Sequence, residues 1–68
     1  MNVELPYKIG SVFKTIRDGK VQYDRINHYI VGRKIKVVLE LNYETDKLLS
    51  EPMFLNELER KWEFVEED

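Results

Sequence analysis

From Lys34 to Tyr43 the chain alternates without a break. Ile35, Val37, Leu39, Leu41 and Tyr43 fall on one side, and Lys34, Lys36, Val38, Glu40 and Asn42 on the other. Successive side chains of a strand point to opposite faces, so a period of two marks a long, half-buried strand. It is the cleanest structural signal in the sequence.

Asp18-Gly19 lies between two further runs of β-formers and supplies the two positive-φ positions of a type I′ hairpin turn. In the second of those runs Val21 and Tyr23 share one face, whereas Ile26, His28 and Ile30 share the other. A period of two changes phase only through an extra residue, which places a β-bulge near Asp24-Arg25. Such a bulge bends the strand, as small barrels require. Gly32-Arg33 turns the chain again, with Gly32 as the positive-φ residue. Strands are therefore expected over 10–17, 20–31 and 34–43, joined by tight turns into an antiparallel meander.

Glu44 to Ser50 reads as a loop anchored to the core by Leu48 and Leu49. Short strands are expected near 52–54 and 62–65, with a helix over 56–61 between them. Asn56 is placed as its N-cap, Glu57 and Glu59 occupy its first turn, and Arg60 and Lys61 its end. That order complements the helix dipole. Leu58 and Trp62, four apart, share the face that must dock, because so short a helix depends on packing. The fold class is mostly β with one short α-helix. Closure into a small SH3-like antiparallel barrel is favoured over an open sheet with the helix across one face, since closure removes exposed edges.

At 68 residues the chain forms a single domain, 1–68, near the lower size limit for independent folding, with 66–68 as an acidic, frayed tail. A hydrophobic fraction of 43% excludes a disordered segment, and the absence of cysteine excludes disulfides, thiolate zinc sites and a catalytic thiol. No apolar run approaches the roughly 18 residues of a membrane span, and Met1 to Gly10 has no signal-peptide pattern. A soluble, cytoplasmic domain is expected.

Charge is unevenly placed. Eight bases face two acids from Lys8 to Lys36, whereas three bases face ten acids from Val37 onward. Such asymmetry hints at a nucleic-acid surface, although the overall charge of −2 opposes non-specific binding.

Gly10-Ser11-Val12-Phe13, then Asp18-Gly19-Lys20-Val21, then Phe54-Leu55-Asn56-Glu57-Leu58-Glu59 occur in a familiar order. The chain resembles the small SH3-like barrel proteins of unknown function found in bacteriophages and prophages of Gram-positive bacteria. The likeness spans Gly10 to Trp62, with Ser11 where an acid is common and Asn56 where threonine usually caps. It implies a phage or mobile-element accessory protein inside a bacterial host cell, and it carries over no catalytic or binding residue.

Nothing marks an enzyme. His28 is the sole histidine, no nucleophile motif is present, and Gly10, Gly19 and Gly32 are too isolated to cradle a phosphate. No cofactor or metal is called for. A protein-binding module is the first functional expectation, with Tyr23, Tyr29, Tyr43 and Trp62 as candidate aromatic contacts. The alternative is nucleic-acid binding through the basic strands, by Lys14, Arg17, Arg25, Arg33, Lys34 and Lys36. A structural or virion-associated subunit is the third reading, and an open strand edge leaves a homodimer possible.

Overall fold

The computed structural model describes residues 4–46 and 48–67. Strands β1 (Val12–Arg17), β2 (Lys20–Val31) and β3 (Ile35–Leu41) form the antiparallel meander expected from their alternation. Two short strands, β4 (Leu48–Leu49) and β5 (Met53–Phe54), both pair with β3. Helix α1 (Leu55–Lys61) follows β5 directly, and β6 (Glu63–Glu66) returns to pair with β1. The strand order is β4-β3-β2-β1-β6. The fold is mostly β with one short helix. Among the described residues no ladder joins β6 to β4 or β5, and α1, which touches β3, β5 and β6, stands between those ends.

The first turn forms as its residues dictate. Asp18 and Gly19 have φ of 53° and 76°, and they hold Arg17 opposite Lys20 and Ile16 opposite Val21. Gly32 does not adopt the positive φ expected of it. Gly10 (φ 93°) and Asn42 (φ 49°) do, and asparagine is among the few side chains that tolerate this region. At Asn42 the left-handed residue starts the turn after β3, where its carbonyl accepts from the amides of Thr45 and Asp46.

The β-bulge lies between Ile26 and His28, slightly later than the sequence places it. The consequence is a different assignment of faces. Ile26 is buried and Tyr29 packs beside it against the core, while Ile30 turns outward. Ile26, His28 and Ile30 therefore do not share a face, because the extra residue comes after Ile26 rather than before it.

Two corrections apply near the C-terminus. Leu48 and Leu49 form β4 rather than anchoring a loop, and both are more than half exposed. Two residues on a strand edge satisfy backbone groups of β3 without reaching the core. Asn56 is not the N-cap. Phe54 (φ −73°, ψ 152°) holds that position without a side-chain cap, since β5 runs straight into the helix. The acidic end is also more ordered than expected: Glu66 belongs to β6 opposite Val12, and Glu67 meets Lys8 at 3.8 Å. Asp68, the last residue of the expected tail, lies outside the described residues.

The core comprises Phe13, Ile26, Val37, Leu39 and Leu58, ringed by Tyr7, Tyr29, Leu41, Met53, Leu55 and Trp62. Tyr7 meets Phe13 edge-on at 4.9 Å and stacks on Phe64 at 5.7 Å. The Tyr29 hydroxyl donates to the Tyr7 carbonyl at 2.8 Å, tying the N-terminal segment to β2. Burial raises the pKa of both tyrosines, and the Glu59 carboxylate, which accepts from the Tyr7 hydroxyl, raises that of Tyr7 further.

Asp24 is the polar centre of this apolar interior. It is fully buried opposite Phe13 and accepts three hydrogen bonds. Gln22 Nε2 (2.9 Å) and the Asn42 amide (2.8 Å) donate to Oδ1, and Trp62 Nε1 (2.8 Å) donates to Oδ2. One carboxyl group thus joins β2, the turn after β3 and the residue that follows α1.

Ser11 is also fully buried, and its hydroxyl has no hydrogen-bond partner. Its backbone is the useful part: the carbonyl accepts from the Ile26 amide and the amide donates to the Lys8 carbonyl. Ser11→Ala is expected to raise stability by about 1 kcal/mol, since it removes an unpaired buried group and keeps both backbone bonds. Urea denaturation with an unchanged m-value would register the gain as a higher midpoint.

Candidate functional site

The residues expected to bind protein do not gather on one surface. Tyr29 and Trp62 are turned inward, each held by a hydrogen bond, one to the Tyr7 carbonyl and the other to Asp24. Tyr23 stands exposed on the outer face of β2, opposite Lys14. Tyr43 lies half-buried beneath Arg25, whose guanidinium carbon is 4.8 Å from its ring centre.

The six expected nucleic-acid contacts are likewise divided. Arg25 donates twice to Glu40 at 3.2 Å, in a fork geometry that Asn27 reinforces. Lys14 is 3.5 Å from Glu63 on the facing strand. Arg17 sits beside the first turn, opposite Lys20. Arg33, Lys34 and Lys36 cluster at the second turn, at the other end of β2. Twelve residues at about 3.3 Å each separate the two ends by roughly 40 Å, close to the 41 Å long dimension of the fold. The basic segment that looks continuous in sequence is two separate ends in space.

What the sequence does not single out is the outer face of the first hairpin. Ile16 and Val21 are cross-strand neighbours, exposed by 74% and 57%, and Tyr23 continues the face at 46%. A signal for this was available. The Asp18-Gly19 turn pairs position 16 with 21, and inward-facing Phe13 obliges Ile16, three positions on, to point outward.

Ile16 and Val21 border an open groove of about 580 Å³. One wall is Lys14, Thr15, Ile16 and Val21, and the other is Arg60, Lys61, Trp62 and Glu63. The groove exists because β6 pairs only with Val12, Phe13 and Lys14, leaving the rest of β1 without a strand on that side. The Thr15 hydroxyl, donating to the Lys61 carbonyl at 2.9 Å, braces the two walls. Its chemistry is that of a contact surface, apolar between basic side chains.

His28 lies on β2 opposite Val38, and its Nδ1 is 2.7 Å from the Asn27 side-chain oxygen. Among the described residues no group of three His, Cys, Asp or Glu side chains is placed to hold a metal ion. Nor, among the described residues, is any helix long and apolar enough to cross a membrane. No family model, curated protein or solved structure matches the chain.

Proposed function

We propose that this chain is a non-enzymatic protein-binding module, acting as an accessory protein of a phage or mobile element in the bacterial cytoplasm. The observation that carries the reading is the exposed Ile16–Val21 pair, continued by Tyr23 and opening onto the groove beside Trp62. In so small a domain apolar side chains are needed inside, and a contiguous exposed set bordered by charge marks an interaction site. The groove has the form that receives a partner's side chains, and Tyr23 supplies a rigid, amphipathic contact on the outer face of β2 beside Val21. The phage setting rests on the resemblance carried by Gly10-Ser11-Val12-Phe13 and Phe54-Leu55-Asn56-Glu57.

The test is affinity capture from host lysate, in nuclease-treated and untreated halves, by the wild-type chain and by an Ile16→Glu/Val21→Glu double variant. Both positions lie on the surface outside the core, and circular dichroism of the variant checks that the fold survives the two like charges set opposite each other. The expected result is one protein retained near equal stoichiometry in both halves by the wild type and lost by the variant. Equal retention by the variant, or capture that vanishes with nuclease, would overturn the proposal.

A further inference from the structure

Lys34 and Lys36 are two residues apart on the outward face of β3 and the turn before it, and cross-strand pairing sets Phe54 opposite Lys36. Ile30 lies on the other side of Lys36, so Ile30, Lys36 and Phe54 form one row across β2, β3 and β5. The Phe54 ring is 42% exposed, and the two ammonium groups stand 5.3 Å and 5.2 Å from its centre. Arg33 is exposed in the adjoining turn.

Two of these three cations differ from the others in the basic segment by sharing one exposed ring. Lys8, Lys14 and Arg25 have carboxylate partners; among the described residues Arg33, Lys34 and Lys36 have none, nor do Arg17 and Lys20 at the opposite end of β2, which reach no ring. Both lysines reach the same ring, so their charges lie within about one Debye length of each other. Like charges held that close favour a polyanion over isolated small counterions. The exposed ring narrows the class of polyanion. An acidic peptide uses it only where an apolar side chain falls beside its acids, whereas every unpaired base has a face to stack on it, and stacking outweighs the exposed ammonium–ring contacts it would replace. Duplex DNA offers no free base face to such a ring.

We infer that the β2–β3 turn with β5 binds single-stranded nucleic acid, a base stacking on Phe54 while Lys34, Lys36 and Arg33 take the flanking phosphates. This surface lies apart from the groove at the other end of β2, and the inference does not depend on the groove's role.

Fluorescence anisotropy of the full chain with labelled oligothymidylate, over a salt series, tests it. Three phosphate contacts on a single strand predict a slope of log K against log[salt] of about −2. Phe54→Leu is expected to weaken binding about tenfold. Lys34→Gln/Lys36→Gln is expected to reduce the slope by about 1.4, the share of two phosphates. The Ile16→Glu/Val21→Glu variant should bind the oligonucleotide as the wild type does, which separates this surface from the groove. Absence of saturable binding at low salt would overturn the inference, as would duplex or polyglutamate binding of equal strength. Because Phe54 also begins α1, the lysine variant decides the matter if Phe54→Leu melts early. An unchanged salt slope in that variant would be fatal.

Discussion

Trp62→Ala is expected to unfold most of the protein at 25 °C. The ring is half-buried and packs against the core beside Leu58, and truncating a large aromatic side chain typically costs about 3–5 kcal/mol. Partial exposure lowers the transfer term, but a second loss replaces it. Trp62 Nε1 is the donor that satisfies Asp24 Oδ2 at 2.8 Å, and Asp24 is fully buried. Stranding a buried acceptor adds roughly 1–3 kcal/mol. A domain of this size has about 3–5 kcal/mol in total, so the two losses together consume it. Trp62→Phe separates them, since it keeps most of the ring and removes only the N–H. That variant should stay folded with a lower urea midpoint. Circular dichroism melts decide the point: Trp62→Ala melting within a few degrees of the wild type would mean that α1 is not held through this residue.

The docking of Trp62 was readable from its spacing to Leu58, but the reason it matters was not. Periodicity reports which face a side chain takes, and the alternation over 34–43 and the Asp18-Gly19 turn appear as β3 and the first hairpin. But Val38 and Glu40 are buried as well, so the middle of β3 is covered on both faces rather than half-buried. Periodicity reports less about where a phase change occurs. Moving the bulge from Asp24-Arg25 to the step after Ile26 changes which of Tyr29 and Ile30 faces inward. Local signals also miss strands defined by a partner. Leu48-Leu49 is too short to show a period, and it is a strand only because Glu40 and Leu41 lie alongside. The candidate site suffered for the same reason. Six cations in sequence are a list of charges, and only the fold shows that Glu40 and Glu63 neutralise two of them while Phe54 gathers two others. Phe54 was legible as a strand residue, not as surface, whereas the outward turn of Ile16 followed from Phe13 three positions earlier.

Asp24→Asn is expected to cost about 3 kcal/mol, although the side chain changes by little more than one atom. All three partners of Asp24 are donors: Gln22 Nε2 and the Asn42 amide on one oxygen, Trp62 Nε1 on the other. A carboxylate can accept from all three, but an amide has one oxygen and places an NH₂ group against at least one donor. Whichever way the amide turns, one hydrogen bond becomes a donor–donor contact in a site with no exposure. Hydrogen bonds to an ionised acceptor contribute roughly 1.5–3 kcal/mol each, and leaving a buried donor unpaired has its own penalty of similar size. The polar interior therefore demands a carboxylate, not merely a polar group of the same shape. Asp24→Leu removes the acceptor altogether and strands all three donors, so it should be at least as damaging despite its greater apolarity. Amide hydrogen exchange at Asn42 gives the sharpest reading. Its amide donates to Asp24 and not to a strand partner, so in Asp24→Leu its protection should fall by more than that of the Leu39 amide, which donates to the Ser50 hydroxyl. Equal loss at both positions would mean that Asp24 stabilises the fold globally without pinning this turn. No loss at either would remove it as the centre of the interior.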